Sequence, residues 1–563
     1  MSFAGRSHGV GLLALAPGLM LAGLALPIAA GLAGTLAPAV SGHGFATLGQ
    51  WPGLPRALAL SVGTGLISTL AALAITILMI AALHDRPGFV TFRRALSPLL
   101  ALPHAAAALG LAFLVAPSGW LVRLVSPWAT GWDTPPDLLV LNDPMGVALT
   151  LGLVAKEVPF LMLMALAILP QTDTTRRGQI AASLGYGRVM GFVLSTLPAL
   201  YSGLRLPCFA VLAYGMTNVD MAMILGPTLP PTLAVQITEW MGAPNLAHMS
   251  TAAAGALVQL ALVAATLVLW LWAERALALL IPALALRGRR ARALDAPLAG
   301  IAGGMAGLIA FGLFAGMAGL TLWSFAGLWQ FPDALPQTLS LQTWAKATPD
   351  LACQSLTTLV IALAASLGAL ALALAALEAE ARRGRPVGAP WLIYLPLIMP
   401  QVAFLPGLQV LALHLGAKGS ILTVAAAHLI FVLPYVWLSL APAFRGWDPR
   451  IGLAAATMGA PPARIFWHLR LPMLLAPVLT ALTVGVAVSV GQYLPTLMLG
   501  GGRVETLTTE AVALSSGGNR RLIGATALLQ MALPALGFAL ALIVPRLIFR
   551  NRRAMLAERS VPG

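Results

Sequence analysis

Long apolar stretches broken by short polar ones fill this chain, and their spacing sets its architecture. Runs of about 20 residues are long enough to cross a bilayer core as helices. They fall near 10–32, 58–82, 96–117, 145–170, 193–215 and 249–280, and again near 299–324, 354–377, 390–416, 421–443, 473–495 and 522–547. This pattern predicts an all-α polytopic chain of about twelve membrane helices, with the Pro-rich stretch 390–416 kinked or broken. The first run, Gly9 to Ala33 after Arg6, is longer than the usual signal-peptide core of about 7–15 residues. It is therefore expected to remain as a membrane helix.

The pattern also repeats. QIAASLGYGRVMGFVLSTLP, from Gln179 to Pro198, lines up with LAAATMGAPPARIFWHLRLP, from Leu453 to Pro472. Gly185, Phe192 and Pro198 match Gly459, Phe466 and Pro472, each 274 positions later. At the same offset, Leu225-Gly226 matches Leu499-Gly500 and Thr232-Leu233 matches Thr506-Leu507. Upstream, LPHAAAALG (102–110) parallels MPQVAFLPG (399–407), pairing Pro103 with Pro400 and Gly110 with Gly407 at an offset of 297. The change in offset places extra residues chiefly in the first-half loop near 118–144. The chain is thus expected to be two tandem six-helix halves in parallel orientation. Their bounds are 1–286 and 298–563, joined by a basic connector at 287–297.

Composition agrees: 59% of residues are hydrophobic and 9% charged, against about 25% charged in soluble chains. The net charge of +15 would suggest nucleic acid in a soluble protein, but the placement of the charges argues otherwise. With the N-terminus inside, predicted inner segments hold 23 of the 33 basic residues. They are Arg6; Arg86, Arg93 and Arg94; Arg176, Arg177 and Arg188; Arg287, Arg289, Arg290 and Arg292; Arg382, Arg383 and Arg385; Arg445, Arg450, Arg464 and Arg470; and Arg546, Arg550, Arg552, Arg553 and Arg559. Outer loops hold Arg56, Arg123, Lys346, Lys418, Arg503, Arg520 and Arg521. This alternation follows the positive-inside rule and puts both termini in the cytoplasm. A lipid membrane is the expected partner and nucleic acid is not. The outer loops are long and rich in Trp, Pro, Gly and Asp, as in GWDTPPDLLVLNDP at 131–144, and read as ordered docking surface. The two cysteines, Cys208 and Cys353, form no disulfide or metal pattern.

The two matched segments, within inner loops 171–198 and 444–472, have the makings of a protruding elbow. Ala181, Ala182, Ala454 and Ala455 favour helix and close approach. Gly185 and Gly459 allow a left-handed exit from that helix. A short second helix then offers Phe192, Phe466 and Trp467 as apolar anchors, and Arg188 and Arg464 as charges for a partner. Pro198 and Pro472 suit the start of the next span.

In these segments the chain resembles the permeases of ATP-binding-cassette importers. Their loop reads Glu-Ala-Ala, three residues, Gly, nine residues, Ile-x-Leu-Pro. Both copies keep the spacing from Gly to Leu197-Pro198 and Leu471-Pro472. They depart at the Glu position, here Gln179 and Leu453, and at the Ile position, here Ser195 and Leu469. The missing acid removes a salt bridge from that position but leaves the elbow. The resemblance is nearest to fused permeases of the thiamine, iron and polyamine group, through the tail GQYLPTLMLGGGRVETLTTEAVALSSGGNRRLIGA at 491–525. It implies a type I importer fold, a cytoplasmic ATPase in two copies on the elbows, and a periplasmic binding protein. It also implies a place in the bacterial inner membrane and a thiamine-like, iron or polyamine substrate. No Gly-x-x-x-x-Gly-Lys-Ser/Thr loop is present; GAKGS at 416–420 lacks the spacing. ATP hydrolysis is therefore expected in a partner, and no catalytic residue, metal or cofactor is expected here.

For the substrate path, Lys156 and Glu157 stand out, because charges at membrane depth cost about 2.5–3.5 kcal/mol on insertion scales and face a cavity or a partner. Adjacent helical residues point about 100° apart, so the two need not pair. Asn218 and Asp220, aligned with Gln492 and Leu494, together with Tyr493, are candidates for an outer gate or for capping. His104, His414 and His428 show no ligand spacing and read as structural. Two alternatives have weaker support. A six-plus-six secondary carrier would use the loop HDRPGFVTFRR at 84–94, whose final Arg pair is displaced. A non-transporting scaffold would have no use for duplicated elbows.

Overall fold

The structure is a computed structural model that describes residues 13–551 apart from 85, 87, 88, 90, 91, 93–98, 100, 101, 246, 390 and 418. Arg6, Arg93, Arg94, Lys418, Arg552, Arg553 and Arg559 lie outside the described residues. So do parts of the stretches 10–32 and 96–117 and much of the carrier-like loop at 84–94.

Among the described residues the elements are helical, with one isolated antiparallel bridge between Ala326 and Leu339. Among the described residues ten helices are long and apolar enough to span a membrane, and counting each of two bent pairs as one span brings the total to twelve. The stretch 390–416 is one bent pair: Trp391–Ile398 and Gln401–His414 meet at 98°. Pro400 sits at the corner and caps the second helix. The other is Pro462–Met473 with Leu475–Val490, bent by 75°. Several helices outrun their apolar cores. The first runs from Ala16 to Ser41, with Pro27 and Pro38 inside it, and the eighth span is the 42-residue helix Gln342–Arg383. Backbone hydrogen bonding does not stop where the apolar pattern stops, so hydropathy alone truncates such helices.

The two sets of six spans interlock. The first helix of the chain packs on Gln401–His414, and the seventh span, Asp295–Phe325, packs on His104–Val115. Glycine makes both crossings possible. A Cβ on Gly407 would lie 1.9 Å from the Gly31 carbonyl oxygen and 2.5 Å from the Thr35 nitrogen. A Cβ on Gly110 would lie 3.1 Å from the Gly316 carbonyl carbon. Small residues that let backbones touch are the usual means of helix association in lipid, where apolar burial alone gives little drive. At the tighter crossing, the Gly407 N–H donates to Thr35 Oγ1 (3.1 Å), and that hydroxyl donates to the Gly31 carbonyl (3.0 Å). Gly110 and Gly407 are the pair that the sequence repeat aligns, and each meets the first helix of the other half.

Between the main spans lie short helices that the hydropathy pattern does not reveal. Asp220–Leu225 and Leu233–Gly242 follow the fifth span, and Leu494–Gly500 and Leu507–Ser515 follow the eleventh. The N-termini of the second and fourth are tied down identically. Leu233 N–H donates to Ser61 Oγ, and Leu507 N–H donates to Thr358 Oγ1, each at 3.0 Å. Ser61 and Thr358 are separated by 297 positions, and Leu233 and Leu507 by 274. Both sequence offsets therefore recur in one pair of hydrogen bonds.

Candidate functional site: paired elbows and a buried polar layer

Each elbow begins with a short helix, Thr174–Ser183 in one and Pro449–Thr457 in the other. Each then turns back through a left-handed glycine, Gly185 at φ +86° and Gly459 at φ +85°. The turns carry the same two bonds. Gly185 N–H donates to Ala182 O (2.9 Å) and Tyr186 N–H to Ala181 O (3.0 Å). Gly459 N–H donates to Ala456 O (3.0 Å) and Ala460 N–H to Ala455 O (3.0 Å). This is the Schellman pattern, which satisfies the last helical carbonyls and needs a residue tolerant of positive φ. Ala181 and Ala455 are buried beneath the turns, whereas Gln179, Leu453 and Ala454 face outward.

The descending arms differ. In the first, Arg188–Ser195 is a regular helix, and Pro198 occupies the first turn of the span Leu197–Thr217. In the second, Pro462–Ile465 runs into a π-helical turn, Phe466–Arg470, then Leu471–Met473 with Pro472, before the span Leu475–Val490. Phe192 and Phe466 are buried in the chain's own core. They anchor the elbows from within, because a short amphipathic helix must hide one face. Trp467 is 62% exposed, stacked edge-on against Phe466 at 5.0 Å. Arg188 is turned inward, with its Nε donating to Ala81 O at 3.1 Å, while Arg464 is exposed.

The tips hold a feature absent from the sequence reading. Leu184 is 58% exposed and Met458 is 81% exposed, each immediately before its glycine. Both elbows thus expose a large apolar side chain at the same position, directly before the left-handed glycine. Its sequence signal, Leu-Gly and Met-Gly at the 274 offset, was present in the matched segments.

A second candidate region is a polar layer between the halves, in which Lys156, Glu157, Asp220 and Tyr493 are buried and His104, Gln401 and Gln492 half-buried. Lys156 and Glu157 are both buried on the helix Val147–Ile168. Among the described residues no salt bridge joins the two, and each reaches a different partner. Lys156 Nζ donates to Leu99 O at 3.3 Å, and Glu157 Oε1 faces His104 Nε2 at 3.9 Å. The His104 ring packs on Tyr214 at 4.6 Å, and the Tyr214 hydroxyl donates to Asp220 Oδ1 at 3.3 Å. From the second half, Tyr493 donates to Met223 Sδ at 3.5 Å, and Gln401 Nε2 donates to Gln492 Oε1 at 3.5 Å. Asn218 is used locally: its Nδ2 donates to Gly215 O (3.1 Å), and its Oδ1 accepts from Ala222 N–H (3.1 Å). It caps the turn. His104 and Gln401 join this layer although neither was singled out for it. Each follows a proline at the N-cap position of its helix, Pro103 or Pro400, at the 297 offset, so the alignment held the clue. His428 bonds Ser489 Oγ (2.7 Å) and Thr496 Oγ1 (2.9 Å), a structural arrangement. Among the described residues no group of three or more metal-ligating side chains occurs.

No family model matches the chain. It is 33% identical over 520 residues to an inner membrane ABC transporter permease protein, YnjC, of Escherichia coli (strain K12), a match covering 92% of this chain and 94% of the relative. A spermidine/putrescine transport system permease protein PotC homolog of Mycoplasma genitalium is 30% identical over 95 residues, 17% of this chain and 33% of that protein. A molybdenum transport system permease protein, ModB, of Mycobacterium tuberculosis is 32% identical over 124 residues, 20% of this chain and 47% of that protein.

Proposed function

The chain belongs to the permease subunits of ATP-binding-cassette transporters, and from that premise we propose that its elbows, within 171–198 and 444–472, each seat in one of two ATPase subunits. It is a multi-pass inner-membrane transport subunit of an importer. Such permeases work with a separate ATPase, which hydrolyses ATP, and with a substrate-binding protein. The observation that carries the docking reading is the pair of matching elbows, each exposing a large apolar residue, Leu184 or Met458, directly before its left-handed glycine.

In this reading residues 1–286 and 298–563 form two halves around a central path, joined by the connector 287–297. Both termini and both elbows are cytoplasmic, as the arginine distribution favours. Closure of the ATPase pair on ATP moves the elbows together and opens the path outward, toward the periplasmic binding protein. Lys156, Glu157, Asp220, Gln492 and Tyr493 line that path, together with His104 and Gln401, and Asn218 shapes its turn. A polar layer containing both signs of charge suits a path that must not hold its cargo tightly. Substrate choice, whether thiamine-like, iron or polyamine as the resemblance implies, then rests mainly with the binding protein.

Co-purification tests this reading. The tagged chain should retain its ATPase through detergent extraction, and Leu184→Cys and Met458→Cys should each cross-link to it. Failure of both positions to cross-link in an assembled complex would overturn the docking reading.

A further inference from the structure

The two elbows are held by different means. At the first, the connector between the halves folds back over the elbow. Gly187 N–H donates to Arg290 O at 2.6 Å, and Arg292 Nε donates to Gly185 O at 2.8 Å. Asp295 completes the contact: its Oδ2 accepts from Arg188 N–H (2.7 Å) and its Oδ1 from Val189 N–H (3.1 Å). These are the first two amides of the elbow helix Arg188–Ser195, which have no intrahelical partners. Asp295 is also the first residue of the seventh span, Asp295–Phe325. One carboxylate therefore sits at two helix N-termini, where negative charge is favoured from both sides.

The sequence explains why only one elbow needs this. Gly187 has no side chain to cap its own helix, and a Cβ there would lie 2.8 Å from Asp295 Oδ2 and 2.9 Å from Arg292 Cα. At the 274 offset the second elbow has Pro461 and Pro462. Proline at the first helical position has no N–H to satisfy and is already set to a helical φ. The second elbow is tied to its own half, as Arg188 Nε also ties the first through Ala81 O. Arg470 Nη1 donates to Glu378 Oε2 at 2.6 Å, and its guanidinium lies 4.3 Å from the Trp447 ring centroid.

We propose that the connector is a clasp and that Asp295 is a positioning residue, fixing the first elbow to the start of the seventh span so that the two ATPase-facing elbows are mechanically unequal. A push on the first elbow is carried by Asp295 directly into a helix of the opposite half. That helix packs through Gly316 on Gly110 of the first half. A push on the second elbow passes into its own half through Glu378. This inference rests on the docking reading above.

The test uses the full complex of permease, ATPase and binding protein, with Cys353, the exposed native cysteine, replaced by serine. Cross-linking of Leu184→Cys and Met458→Cys to the ATPase is compared with and without Asp295→Ala, and separately Gly187→Ala. Hydrogen exchange is followed at Arg188 and Val189. The clasp predicts at least tenfold faster exchange at those amides and at least threefold lower cross-linking at position 184. It also predicts unchanged cross-linking at 458 and a fall in ATP hydrolysis stimulated by the binding protein. Equal loss at 184 and 458 would mean general destabilisation and overturn the inference. So would unchanged cross-linking and hydrolysis in both variants. If neither position cross-links in the parent complex, the docking reading itself fails, which separates the two outcomes.

Discussion

Replacing Gly185 or Gly459 by alanine and by proline gives a graded perturbation of the elbows whose size follows from the backbone. At φ +86° and +85° an L-residue carries about 1–2 kcal/mol of steric strain. Gly459 offers the clean measurement, because a Cβ there meets nothing within 4 Å. At Gly185 the added methyl would approach Arg290 Nη1 at 2.9 Å, a flexible side chain that gives way. Alanine should therefore shift the ratio of formed to unformed turn by about 5–30-fold and reduce coupling without ending it. Proline is a different case. Its φ is fixed near −65°, about 150° from the angle required, and it lacks the N–H that reaches Ala182 O or Ala456 O at 2.9 and 3.0 Å. The Schellman turn cannot form, so both proline variants should abolish transport while inserting normally. The assay is uptake into proteoliposomes holding permease and ATPase, with the loaded binding protein outside, alongside quantitation of the permease in the membrane fraction. Normal uptake by Gly185→Pro and Gly459→Pro would refute coupling through these turns.

Three further outcomes are expected. Burying a side chain the size of leucine contributes about 1.5–3 kcal/mol, so Leu184→Ser and Met458→Ser should each weaken ATPase association by roughly 10- to 150-fold, read by titrating solubilised ATPase onto immobilised permease. Overpacking costs about 1–3 kcal/mol, and the 1.9 Å clash at Gly407 against 3.1 Å at Gly110 predicts that Gly407→Ala lowers the melting temperature of the detergent-solubilised protein more than Gly110→Ala does; the reverse order would contradict the crossing geometry. Glu378 accepts from both Arg382 and Arg470, and removing one member of a buried pair costs about 3–5 kcal/mol, so Glu378→Gln should destabilise the protein strongly in thermal unfolding, whereas Arg382→Gln at the more exposed arm should have little effect.

Much of this architecture was legible in the sequence because membrane spans announce themselves by length and apolarity. The bend near Pro400 was visible for the same reason: proline in a long apolar run breaks the hydrogen-bond ladder. Gly185 and Gly459 were legible because a left-handed exit has few sequence solutions. The short helices Leu233–Gly242 and Leu507–Ser515 were not, being too brief for periodicity to distinguish from loop. Their anchors, Ser61 and Thr358, lie in spans where one hydroxyl among apolar residues looks incidental. The clasp was hidden for another reason. RGRRARALDAP reads as an ordinary basic inner connector, and only its fold onto the elbow turns Asp295 into a cap for Arg188 and Val189. Leu184 and Met458 were overlooked because an apolar residue beside an apolar span carries no signal until its exposure is known.

The most direct test of the central claim compares uptake of the binding protein's own ligand by two sets of proteoliposomes. One holds the permease alone, and the other holds it with its ATPase and enclosed ATP. Accumulation against a gradient is predicted only in the second set, and it should stop in Gly185→Pro and Gly459→Pro. Accumulation by the permease alone would contradict the account.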